Sequence, residues 1–187
     1  NGLVRSVDNF GTTGDKPTHP ELLDHLATRF MKEGWSVKKL IREIMLSNTY
    51  QQSANFDRAK YNVDPDNHLL WRMNQRRLEA EAIRDAMLSA SGKLVSQPPV
   101  GSVALDLPPV EIRNGRFNPS EILAGMNFRS VYLPVFRNAI PDAMEVFDFA
   151  DPNMVSGGRD VTTVAPQALY LLNNKFVTAH AQALAYR

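Results

Sequence analysis

The chain contains no cysteine. That excludes disulfides, thiolate nucleophiles and every zinc or iron–sulfur site built on cysteine. It also lacks a run of about 20 apolar residues, so no helix-forming stretch is long enough to cross a bilayer. Charge of one sign is not in excess. The formal net charge is +1, which gives no whole-chain argument for nucleic acid or an acidic surface. Glycine-rich phosphate loops and the G-x-S-x-G nucleophile elbow are missing. The four histidines, His19, His25, His68 and His180, form no H-x-x-x-H or H-E-x-x-H pair. No repeat, low-complexity segment or signal peptide is visible. The chain opens on Asn1 rather than methionine and reads as a portion of a longer protein.

What is there is ordinary for a globular chain: 187 residues, 43% hydrophobic and 22% charged, the size of one domain. Residues 1–17 carry turn chemistry, with Leu3, Val4, Val7 and Phe10 as apolar anchors. Thr18 and Glu21 are spaced as a capping box, with Pro20 in the first turn. Leu22, Leu23, Leu26, Ala27, Phe30 and Met31 then form one helical stripe. Gly34 ends that helix and Ser36 starts the next, whose stripe is Val37, Leu40, Ile41, Ile44 and Met45. The short link makes Glu21–Glu33 and Val37–Ser47 an antiparallel hairpin, expected to pack on a central helix, Leu78–Ala90. Residues 48–62 read as the frayed end of the second helix.

Asp64-Pro65-Asp66-Asn67 is a turn signal before Leu69, Leu70, Trp71 and Met73. The central helix is expected to bury Ile83, Ala86, Met87 and Ala90. Residues 96–119 form a proline-rich excursion in which Val103–Leu107 and Val110–Ile112, closed by Asn114-Gly115, give at most a small two-stranded ribbon. Asn118-Pro119-Ser120-Glu121 starts a short helix. Arg129–Phe136 has strand-like composition, limited to an edge by Pro134. Helices follow at Asp142–Phe149, Val164–Leu172, capped by Thr163, and Lys175–Tyr186. The fold expected is a single, mainly α, irregular helical domain over 1–187, with long ordered loops.

Four arginines stand out in the middle: Arg72, Arg76, Arg77 and Arg84. With Arg129 and Arg137 they are candidates for binding phosphate, sulfate or carboxylate, because the guanidinium fork matches such anions. The competing reading pairs them internally with Glu79, Glu81 and Asp85, through Arg77–Glu81 and Glu81–Arg84 at helical spacing. The near balance of charge favours that internal reading. Glu145, Asp148, Asp151, Asn153 and Asp160 could in principle ligate a hard cation. Their spacing does not match the calcium-loop series, and residues of this kind more often cap helices and hold loops. No metal, cofactor or catalytic residue is assigned. Trp35, Trp71, Tyr50 and Tyr61 could line a sugar-binding face, although large aromatics at such positions are more often core.

Five strings, taken in order, resemble one family. They are GLVRSVDNFGTTGDKPTHPELLDHLATRF, GWSVKKLIREIMLSNTYQQS, DPDNHLLWRMNQRRLEAEAIRDAML, RSVYLPVFRNAIPDAMEVFDFADPN and VTTVAPQALYLLNNKFV. Together they span almost the whole chain. The family is the domain of unknown function, family 1553, which planctomycetes carry in many copies. His25 departs from the aromatic usual there. The resemblance implies a domain near the C-terminus of large exported proteins, with cytochrome-c-like modules upstream. It implies an extracytoplasmic setting, periplasmic or at the cell surface, and carries no catalytic residue to any position here. The expected role is a non-catalytic structural or interaction module, whose partners are other domains of the same polypeptide. The alternative is binding or processing of anionic, sulfated or uronic polysaccharide. Nucleic-acid binding through the arginines and membrane insertion are not expected.

Overall fold

The computed structural model describes residues 2–9, 11–105, 118–137 and 139–187. Most of the expected ribbon, with Leu107, Pro108, Val110, Ile112 and the Asn114-Gly115 turn, lies outside them, as does the anchor Phe10. The fold is helical, as the patterning indicates. Among the described residues there are eight α-helices and three short 3-10 turns, and no sheet. The chain divides into two compact units, Asn1–Arg76 and Arg77–Arg187.

In the first unit, α1 (Pro20–Lys32) and α2 (Val37–Leu46) form the expected hairpin. The link is a Schellman motif. Gly34 N–H donates to the Met31 carbonyl and Trp35 N–H reaches back to that of Phe30, at 2.9 Å. Both Gly34 and Trp35 have positive φ, 77° and 60°. The strained Trp35 is held by its ring, which meets Phe30 edge-on at 5.4 Å, the apolar contact that accompanies this motif. Ser36 caps α2 by accepting from Lys39 N–H. The capping box at Thr18 does not form. His19 takes the cap position without a side-chain bond, and Thr18 is tied to the Leu3 carbonyl instead. Leu3 and Val4 are half-buried, whereas Val7 is exposed.

The stretch expected to be a frayed end contains a helix, α3 (Arg58–Val63). Asp57 caps it, accepting from Ala59 N–H and Lys60 N–H. Phe56 packs on Tyr61 across its start, with ring centroids 5.2 Å apart.

The second unit carries the apolar core. The central helix α4 runs from Ala80 to Ala90. Its inward row is Ala80, Arg84 and Leu88, at 1%, 7% and 0% exposure. Residues four apart stack on one helix face. This rotates the expected face, and Ala86 and Ala90 point outward. Charge pairing at helical spacing would keep Arg84 on the surface; in the fold it points into the interior.

Four further helices follow: α5 (Pro119–Ile122), α6 (Asp142–Val146), α7 (Ala165–Asn173) and α8 (Lys175–Ala185). Asn118 caps α5 through Ser120 N–H, and Asn174 caps α8 through Phe176 N–H. Helix α4 packs against α6 and α8, and α7 packs against both of those. Met144 and Phe147 are buried beside Ala80, and Tyr170 meets Phe147 edge-on at 5.7 Å. Burial pushes the Tyr170 phenol up to about 12. The strand-like segment at Arg129–Phe136 instead coils into a 3-10 turn, Ser130–Tyr132. Backbone groups in and just before this stretch bond Arg84 and Asp85 of α4, which overrides β-propensity.

Candidate functional site

Arg84 is the most enclosed of the candidate arginines. Its Nη1 donates to the Phe128 carbonyl at 3.0 Å and to Ser130 Oγ at 3.2 Å, and its Nη2 donates to the Met126 carbonyl. The guanidinium plane lies over Phe176, 5.6 Å from the ring centroid. Asp85 completes the arrangement by accepting from Ser130 N–H at 2.8 Å and from its hydroxyl at 2.7 Å. Arg129 approaches the other Asp85 oxygen at 3.9 Å. Arg84 and Asp85 therefore clamp residues 126–130 onto α4 from two directions. Burial lowers the Arg84 pKa and Asp85 partly offsets it, yet a guanidinium titrates far above neutrality and stays charged.

Arg77 makes a second tie. Its Nη1 donates to the Thr162 carbonyl and to Thr163 Oγ1, the latter at 3.1 Å. Thr162 in turn donates to Asp148, through its N–H and its hydroxyl, each at 2.8 Å. Gln167 bridges the Val146 carbonyl and Thr162 Oγ1. Asp148 has φ 60°, and the Thr162 bonds hold its carboxyl below the usual range. Thr163, expected to cap α7, is thus taken by Arg77. The cap position belongs to Val164, whose N–H donates to Gln167.

Arg159, from the long loop, supplies a third tie. It forms a two-pronged fork on Glu81, with Nη2 to Oε1 at 2.8 Å, and lies over Phe149 at 5.1 Å. Glu79 is 3.5 Å from the same guanidinium. The fork lowers the Glu81 pKa. Glu81 therefore pairs with Arg159, and the helical-spacing pairs Arg77–Glu81 and Glu81–Arg84 are replaced by ties to distant segments.

Arg72 belongs to the first unit and to a different construction. Asp64 accepts from His68 N–H and Leu69 N–H, at 3.0 and 2.7 Å. These bonds, Leu69 foremost, hold its carboxyl below the usual range. Trp71 Nε1 donates to the Asp64 carbonyl, and Asn67 bonds the Arg72 backbone and Asn74. The Arg72 guanidinium stacks on Trp71 at 5.0 Å, and among the described residues its buried Nε finds no acceptor. Arg76 is exposed at the end of this unit. The structure therefore brings Arg77 and Arg84 into one unit and leaves Arg72 and Arg76 in the other.

Two features have no signal in the local sequence. Ser91 Oγ bonds the Leu88 carbonyl and meets His180 Nδ1 at 2.8 Å, joining the end of α4 to α8. His180 also packs on Phe176, with centroids 4.4 Å apart. Its pKa is lowered, first by burial and then by Arg84 and Lys93. The second feature is a cavity of about 170 Å³ lined by Val131, Leu133, Val135, Met144 and Phe149, with Glu81 and Ser130 as polar members. Pockets for drug-sized ligands usually span about 300–1,000 Å³.

Chemically, Arg77 and Arg84 tie backbone carbonyls of distant segments, and Arg159 ties a carboxylate. Asp151, from the acidic loop, accepts from Asn153 N–H at 2.8 Å in an Asx-turn, the loop-holding role of such residues. Among the described residues no three acidic or histidine side chains converge as a metal set.

No curated protein and no solved structure matches the chain. A family model described as PSD1, protein of unknown function (DUF1553), matches residues 1–187. The match covers every residue, so the chain belongs to that family, whose function is unknown.

Proposed function

We propose that this domain is a non-catalytic structural or interaction module of a larger exported protein. Its partners are other domains of the same polypeptide, including cytochrome-c-like modules, in the periplasm or at the cell surface. The setting rests on the family resemblance; the structural role rests on one observation. Arg84, the most enclosed candidate for anion recognition, has three acceptors inside its own unit. A guanidinium with its donors so engaged stiffens a scaffold and has little left for a ligand. The Arg159 fork on Glu81 supports the same reading.

The test is chemical cross-linking of the full-length protein followed by mass spectrometry. Cross-links from this region to upstream domains are expected. Their complete absence, with efficient cross-linking elsewhere in the protein, would defeat the proposal.

A further inference from the structure

The tip of the hairpin has properties that the scaffold role does not use. Helix α2 has its apolar residues on one side and Lys38, Lys39 and Arg42 among the rest, all three exposed. Met31, Trp35, Val37 and Ile41 are exposed by 49%, 66%, 60% and 50%. Trp35 is not free to tuck away, because the Schellman motif fixes its backbone and Phe30 holds one ring edge.

Charge along the hairpin is segregated. Between Met31 and Glu43 the cations are Lys32, Lys38, Lys39 and Arg42, and the carboxylates are Glu33 and Glu43, the latter held by Arg29 at 2.6 Å. Glu33 is already bonded to Arg29 at 2.9 Å. Glu21 and Asp24 lie at the opposite end of α1. Lys38 and Lys39 also sit in the first turn of α2, where the helix dipole is positive. Cations there are unfavourable for the helix itself. Their presence raises the positive potential around the exposed Trp35 and Val37.

A helix with one apolar side, one basic side and a tryptophan at its edge is built for the boundary between lipid headgroups and acyl chains. Among the described residues no helix is long and apolar enough to cross a membrane, so the contact is peripheral. We propose that the hairpin tip docks on an anionic lipid surface. Trp35, Val37 and Ile41 enter the headgroup boundary, the cations meet lipid phosphates, and the acidic end of α1 faces away.

The experiment is sedimentation of the 187-residue chain with vesicles of phosphatidylcholine alone or mixed with phosphatidylglycerol. The chain should pellet with the anionic vesicles, be released by high salt, and stay in solution with the neutral ones. The double change Lys38→Glu, Lys39→Glu should weaken pelleting by about tenfold or more. Trp35→Ala should weaken it to a lesser degree. Both changes are on exposed side chains, and unaltered circular dichroism checks that the variants fold. No pelleting on anionic vesicles would overturn the proposal. So would equal pelleting of the charge-reversed variant, or a concentration-dependent dimer of the chain whose formation buries Trp35.

Discussion

The two units differ in whether they bury apolar residues: the second buries Arg84, Ser91, Ser130 and Gln167 beside an apolar set, and the first, among the described residues, buries polar ones alone. In Arg77–Arg187 the buried apolar set is Ala80, Leu88, Leu123, Ala139, Met144 and Phe147. In Asn1–Arg76 the buried residues, among those described, are Asp64 and Asn67. The second unit is held by an apolar core with arginine ties across it. The first is held by a hydrogen-bonded loop, a Schellman motif and surface ion pairs such as Arg29–Glu43 at 2.6 Å. Exposed pairs of that kind contribute little. An amphipathic pattern thus specifies a helix without specifying that its apolar side is covered within the same unit.

The largest effect is expected at Arg84. Arg84→Ala leaves the Met126 and Phe128 carbonyls and Ser130 without their donor. It should cost about 3–5 kcal/mol, read as a lower urea midpoint with α4 and α8 losing protection from hydrogen exchange. A slightly smaller loss is expected for Leu88→Ala, about 2–5 kcal/mol depending on how far the site collapses. In the first unit, Asp64→Ala orphans two backbone N–H groups near the surface. The expected loss is smaller than at Arg84 and is confined in hydrogen exchange to residues 64–74. If Asp64→Ala unfolded the second unit as readily as Arg84→Ala, the division into differently stabilised units would be wrong.

The pH dependence sharpens the same contrast at smaller amplitude. The folded state lowers the His180 pKa below its ordinary 6.5, so the unfolded chain binds more protons as pH falls. The contribution from His180 is fully present above pH 6.5 and is lost as pH drops toward the folded pKa. Glu81, Asp64 and Asp148, also lowered, add their losses only below the ordinary carboxyl values of 4.5 and 3.8. Between pH 6.5 and 4.5 the melting temperature should therefore decline for the wild type and stay flatter for His180→Asn.

Much of the helical layout is legible in the sequence. The patterning places α1 at Glu21–Glu33 and it runs Pro20–Lys32; α2 and α8 start at the expected residues, Val37 and Lys175. Caps such as Ser36 and Asn118 are local, so their chemistry is written beside the helix they start. Helix α3 is hidden because Asn, Gln and Asp dominate its approach, and the Asp57 cap is one polar residue among them. The site is harder to read. Arg84 finds backbone carbonyls 42 and 44 residues away. A carbonyl has no residue identity, so charge matching points to Glu81, which the fold gives to Arg159. Ser91–His180 joins positions 89 residues apart, and no local spacing announces it.

The guanidiniums of the second unit brace it from within. Urea unfolding of Arg84→Lys, paired with titration of wild type and variant against a sulfated polysaccharide, tests this most directly. Lysine keeps the charge but has no fork to span the carbonyls of Met126 and Phe128 and the Ser130 hydroxyl. A clear loss of stability is expected, with identical, negligible polysaccharide binding by both proteins. Unchanged stability, together with polysaccharide binding that the variant loses, would contradict it.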